Sequence, residues 1–136
     1  KCSLFLKRYK SLEMPSSFLA REAQHARPQA KRWVGELKKI RNADIIILFG
    51  SVLTNQQPRD IDVLLVTDQA RFSFLEKEIQ KLNQLTTKKI HPLYQTIGDL
   101  IENIKKRHKP ILNAIKGIVI LGEEKFLEVY DESRKE

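Results

Sequence analysis

The sequence has a single cysteine, Cys2, so no disulfide can form within the chain. That suits a reducing compartment, and a cytoplasmic location is the expectation. At 136 residues the chain has the length of one domain. A domain of that size buries about two-thirds of its unfolded surface and folds without cross-links. No apolar run approaches the roughly 20 residues of a membrane helix. The longest, Ile45–Phe49, is strand-sized, so no membrane partner is expected. No charged segment leads into an apolar one near the start, which argues against a secretory signal. The chain opens at Lys1 rather than Met, as a fragment or a chain short of disordered residues would. Five glycines and five prolines are too few for a collagen-like or low-complexity chain. No internal repeat is visible.

Acidic residues are scarce in the first third. Residues 1–42 carry eleven Lys or Arg against three acids, a difference equal to the whole net charge of +8. Residues 43–136 carry equal numbers of each sign. A basic third beside a neutral body points to an anionic partner, nucleic acid or an acidic protein surface, or else to a solvated helical face. Aromatic residues are not interleaved with the basic ones as base stacking requires.

Hydrophobic spacing predicts short helices over 4–13 and 18–24 and a longer one over 28–41, with Ala30, Trp33, Val34, Leu37 and Ile40 on its apolar face. Helix, short turn and helix fit a DNA-reading pair only loosely, because the first helix is barely two turns and the turn lacks glycine. A helical cap on a sheet is the better expectation. Strands are expected at 45–49, 60–66, 88–94 and 118–121, and helices at 70–85, 98–107, 110–116 and 123–130. Pro92 assigns its strand to an edge or an irregularity. Strands alternating with helices indicate an α+β (α/β-like) class: a small mixed sheet flanked by helices, with a helical N-terminal extension. The expected organisation is a basic extension over 1–27, a domain over 28–130 and a frayed tail over 131–136.

Chemistry concentrates between Leu48 and Val63. A buried strand delivers the chain to Gly50, where a missing side chain allows close approach to the backbone. Ser51 follows with a hydroxyl and an amide N–H at a turn or short helix, a place for phosphate oxygens. Asp60 and Asp62 stand two apart on the next strand, so their carboxylates share one face while Ile61 and Val63 point to the other. Two such carboxylates repel unless a cation lies between them. Oxygen ligands favour Mg²⁺, which is commonly shared with substrate phosphates. A phosphate cradle beside paired carboxylates is a layout for metal-assisted nucleotidyl transfer.

The segment Ile45-Ile-Ile-Leu-Phe-Gly-Ser-Val, followed by Pro58-Arg-Asp-Ile-Asp-Val-Leu-Leu-Val66, resembles the nucleotidyltransferase superfamily that includes DNA polymerase beta. The likeness is to its small, single-domain prokaryotic members and spans residues 30 to 122. It implies the nucleotidyltransferase fold, with Gly50 and Ser51 holding a triphosphate and Asp60 and Asp62 binding Mg²⁺ or Mn²⁺. ATP or another nucleoside triphosphate would be the substrate. The acceptor would be a hydroxyl on a small molecule or a protein, since small members include resistance adenylyltransferases and antitoxins that modify a toxin. The alternative is a catalytically degenerate nucleotidyltransferase fold acting as a regulatory module, one that would sense nucleotide or dock protein or nucleic acid through the basic 1–42 region.

The sequence also departs from the family pattern. The spacer after Ser51 is eight residues, against about ten in minimal members, and lacks their arginine and glycine. Arg59 precedes the first aspartate, where serine is frequent. The family's third carboxylate, on a later strand, has no counterpart, because no Asp or Glu lies between Glu78 and Asp99. His91 occupies the matching place. It either serves as base or ligand, or marks a lost position.

Overall fold

The computed structural model describes residues 28–54 and 58–135. The two helices expected within 1–27, the basic extension itself, Asn55–Gln57 and Glu136 lie outside the described residues. The described chain is α+β: five helices and a four-stranded mixed sheet.

Helix α1 (Pro28–Leu37) starts at a proline, whose fixed φ suits a first helical residue. It buries Ala30, Trp33, Val34 and Leu37. It stops four residues before the expected end. The amides of Arg41 and Asn42 are both taken by the Glu78 carboxylate at 3.1 Å, and the Asn42 side-chain amide donates to it at 2.7 Å. These bonds give the chain a partner other than its own helix and turn it toward the sheet. Ile40 stays buried in the resulting turn.

Strand β1 (Ile45–Phe49) runs antiparallel to both β2 (Asp60–Val66) and β4 (Ile118–Leu121). Strand β3 (Lys89–Gln95) lies parallel to β2, giving the order β3-β2-β1-β4. Helix α2 (Gln69–Leu85) makes the crossover that a parallel pair requires. Pro92 therefore sits on an edge strand, where a missing donor is tolerated.

Both faces of the sheet are covered. Ile46, Leu48, Ile61, Val63 and Leu65 pack with α1 and α2. Ile45, Ile47, Leu64 and Val66 pack with α3 (Ile97–Lys105), α4 (Lys109–Ala114) and α5 (Glu123–Ser133). That double burial explains why β1 reads as an unbroken apolar run.

Helix α5 extends through Ser133, three residues into the segment expected to fray. Phe126, Val129 and Ser133 are buried along one stripe, and the Ser133 hydroxyl donates to the Tyr130 carbonyl at 2.6 Å. The last turn is thus held by packing. No described helix is long and apolar enough to cross a membrane.

Candidate active site

The site is built at one end of the sheet, where β1 finishes and β2 begins. The unbroken antiparallel register sets Phe49 opposite Asp62. The next residue, Gly50, adopts φ +82°, and a methyl group on its Cα would collide with Oδ2 of Asp62. Glycine is needed twice over there: for the backbone conformation and for the space the carboxylate fills. Gly50–Leu53 then form a single four-residue 3₁₀ turn, anchored by buried Val52 and closed by the Thr54 amide on the Ser51 carbonyl at 3.1 Å. The turn is too short to carry a helix dipole. What it can offer an anion is individual amides and the half-buried Ser51 side chain.

Asp60 opens β2 and is exposed, whereas Asp62 is half-buried. Strand alternation puts both on the face of Leu64 and Val66, beyond the cover of the helices. The parallel register sets His91 directly beside Asp62. The ring Nδ1 lies 3.3 Å from Asp62 Oδ1 while the imidazole is 77% exposed. The histidine thus turns toward the aspartate and leaves its other nitrogen to solvent.

Lys89, opposite Asp60 in register, is drawn away from it. Its Nζ donates to the carbonyls of Asn83 and Thr86 at the end of α2. The two cations beside the carboxylates, Arg59 next to Asp60 in sequence and Lys89 opposite it in register, therefore differ: Arg59 is exposed, and Lys89 is engaged elsewhere.

Among the described residues no three His, Cys, Asp or Glu side chains converge as a metal-binding group. An all-protein cage does not fit. A cation held by one or two carboxylates and completed by substrate phosphates does fit this donor set, because Mg²⁺ sites are commonly of that kind.

The sequence reading missed two features. At the opposite end of β2 and β3 a crevice of about 240 Å³ lies between Asp68, Phe72, Tyr94, Thr96 and Asp99. Burial pushes the Tyr94 hydroxyl up, with a smaller push from Glu76. Nearby, Arg71 ties Asp68 to Asp44, with guanidinium contacts of 2.7 and 2.6 Å. The side-chain bond from Arg71 holds the Asp68 carboxyl below the usual range. The crevice depends on β3 lying parallel to β2 and the Arg71 cluster on β1 pairing with β2, and the sequence carries no local signal for either pairing.

No family model, no characterised protein and no solved structure matches this chain.

Proposed function

We propose that this protein binds a nucleoside triphosphate together with Mg²⁺ or Mn²⁺ and transfers the nucleoside monophosphate to a hydroxyl of a small molecule or a protein. The observation that carries the reading is the environment of Asp62. Its carboxylate fills the gap left by Gly50 on one side and meets His91 on the other. That arrangement joins the phosphate-suited turn, a carboxylate and a proton acceptor at one strand end.

In this reading Asp60 and Asp62 hold the cation, which when bound would neutralise charge developing on the phosphate oxygens. The amides of the Gly50–Leu53 turn and the Ser51 hydroxyl receive the triphosphate. The acceptor oxygen bonds to the α-phosphorus, the bond to the β-phosphate breaks, and pyrophosphate leaves with that electron pair. His91 receives the hydroxyl proton. With Nδ1–H donating to Asp62, its Nε2 carries the lone pair and faces solvent, where an acceptor would arrive. Asp62 thereby also orients the base. Nucleotide chemistry and a lone cysteine both suit the cytoplasm.

A second reading, a degenerate fold that senses nucleotide or docks a partner, draws on the absence of any carboxylate between Glu78 and Asp99. Incubation with α-phosphate-labelled ATP, Mg²⁺ or Mn²⁺ and a cell extract as acceptor source separates the two. Label transferred to an acceptor supports the enzyme. Metal-dependent nucleotide binding without transfer supports the sensing module. No metal-dependent binding overturns the enzyme and the nucleotide sensor and leaves only the docking role.

A further inference from the structure

The net charge of the body hides a segregation. Between Glu102 and Glu123 there is no acid, yet this stretch holds Lys105, Lys106, Arg107, His108, Lys109 and Lys116. All six are exposed. Lys106 reaches Glu102 only at 3.9 Å, with both side chains more than half exposed, so that pair is weak. The other four Lys or Arg make no ion pair among the described residues.

The fold gathers these charges into a ridge. Helix α3 ends in a left-handed residue, Arg107 at φ 55°. The His108 amide bonds back to the Asn103 carbonyl at 3.0 Å, the closure normally built on glycine. The chain then enters α4, six residues and so about 9 Å long. Beyond α4, Gly117 packs against the Leu48 carbonyl and Phe49 Cβ so closely that no side chain would fit. Lys116 is therefore next to the end of β1, and the 105–109 knuckle is one short helix away. Helix α5, packed on α3, is acidic through Glu124, Glu128 and Glu132. It borders the ridge with the opposite sign.

We infer that this ridge binds the phosphate backbone of a polynucleotide strand. Closely spaced, unpaired cations match a chain of regularly spaced anions. The ridge lacks what other anionic partners need. The exposed large hydrophobic residues among those described are Phe72, Phe74, Leu85 and Leu121, none of them on it. An inserted membrane anchor requires an apolar face, and protein hot spots cluster in desolvated, well-packed pockets, whereas all six ridge side chains are exposed. Of the apolar side chains of α3, Leu100 and Ile104 are buried and Ile97 and Ile101 are half-buried against the same core. The inference does not depend on nucleotidyl transfer at Asp62.

The test is a fluorescence-anisotropy titration of the full chain with labelled single-stranded RNA and DNA of about 20 nucleotides. Each phosphate contact adds about −0.7 to the slope of log affinity against log salt. Replacing Lys105, Lys106, Arg107 and Lys109 by Gln should weaken binding at least about tenfold at low salt and flatten the slope by about two to three. Replacing the same number of charges on α1 and the turn after it (Lys31, Arg32, Lys38, Lys39) should cost less than about threefold. Arg107→Gly gives a signature that a purely structural role lacks: it should raise Tm by relieving the left-handed residue while weakening the strand. Lys105→Arg with Lys106→Arg and Lys109→Arg, which keeps the charge, should keep binding. Asp60→Asn with Asp62→Asn, or omission of Mg²⁺, should leave it intact, so this inference and the nucleotide reading fail separately. Equal losses from the ridge and α1 variants, no saturable complex, or ridge-dependent binding to phosphatidylserine vesicles but not to strands would each overturn it.

Discussion

Oδ2 of Asp62 occupies the place where a side chain on residue 50 would begin. The glycine that ends β1 and the aspartate inside β2 are therefore one unit, although eleven residues separate them. Gly50→Ala should do double damage, forcing a left-handed alanine at a cost of about 1–3 kcal/mol and displacing the carboxylate. Urea denaturation should show the loss, and calorimetry should show nucleotide affinity falling further than stability explains. Gly35→Ala is the control. It lies in α1 with nothing within 4 Å of an added methyl, so it should stabilise by about 0.5–1 kcal/mol. Equal effects at the two positions would dissolve the link between Gly50 and Asp62.

Asp60→Asn with Asp62→Asn should abolish the metal dependence of nucleotide binding, because an amide brings no charge to neutralise a cation. Binding measured with and without Mg²⁺ decides it. If the double variant keeps the parent's metal response, these carboxylates are not the metal site.

His91→Ala should lower transfer about 10²–10⁴-fold while nucleotide affinity stays nearly unchanged, the pattern of a lost proton acceptor. His91→Asp, which restores a carboxylate at this position, should recover part of the rate. An unchanged rate in His91→Ala would leave the histidine without a role.

Glu78 accepts three hydrogen bonds from Arg41 and Asn42. Glu78→Ala should cost about 1–3 kcal/mol by leaving those donors unpaired. Glu78→Gln, which keeps an accepting oxygen, should cost less. Chemical denaturation measures both, and a neutral Glu78→Ala would show that another group ends α1.

The Arg71 hydrogen bond lowers the Asp68 carboxyl in the folded state. The unfolded chain then takes up that proton first as pH falls. The associated stability is present above the ordinary aspartate range, about 4, and is lost on acidification through the folded value. Arg71→Met should therefore be most destabilised relative to the parent near neutrality, and the gap should close toward pH 3. A gap that widens in acid would reverse the assignment.

Much of the fold was readable from local signals. Continuous Ile45–Phe49 marked a strand buried on both faces, and Pro92 marked an edge. The two-residue spacing of Asp60 and Asp62 put both on one face, because side chains alternate in any regular strand. Element ends were less legible where a distant group sets them. Glu78 stops α1 from another helix, and the burial of Ser133 carries α5 three residues into a tail that looked frayed.

What the sequence determined by itself was a motif: glycine and serine after a buried strand, then two carboxylates in alternation. It could count the charges of the body as balanced but could not sort them in space. Only the tertiary structure decided that His91 meets Asp62, because that depends on β3 pairing parallel to β2 in one register. It alone brought Lys116 beside Phe49, through the contact of Gly117 with β1. Spacing along a chain reports which residues share a face of one element. Which elements become neighbours is settled by burying both sides of the sheet at once.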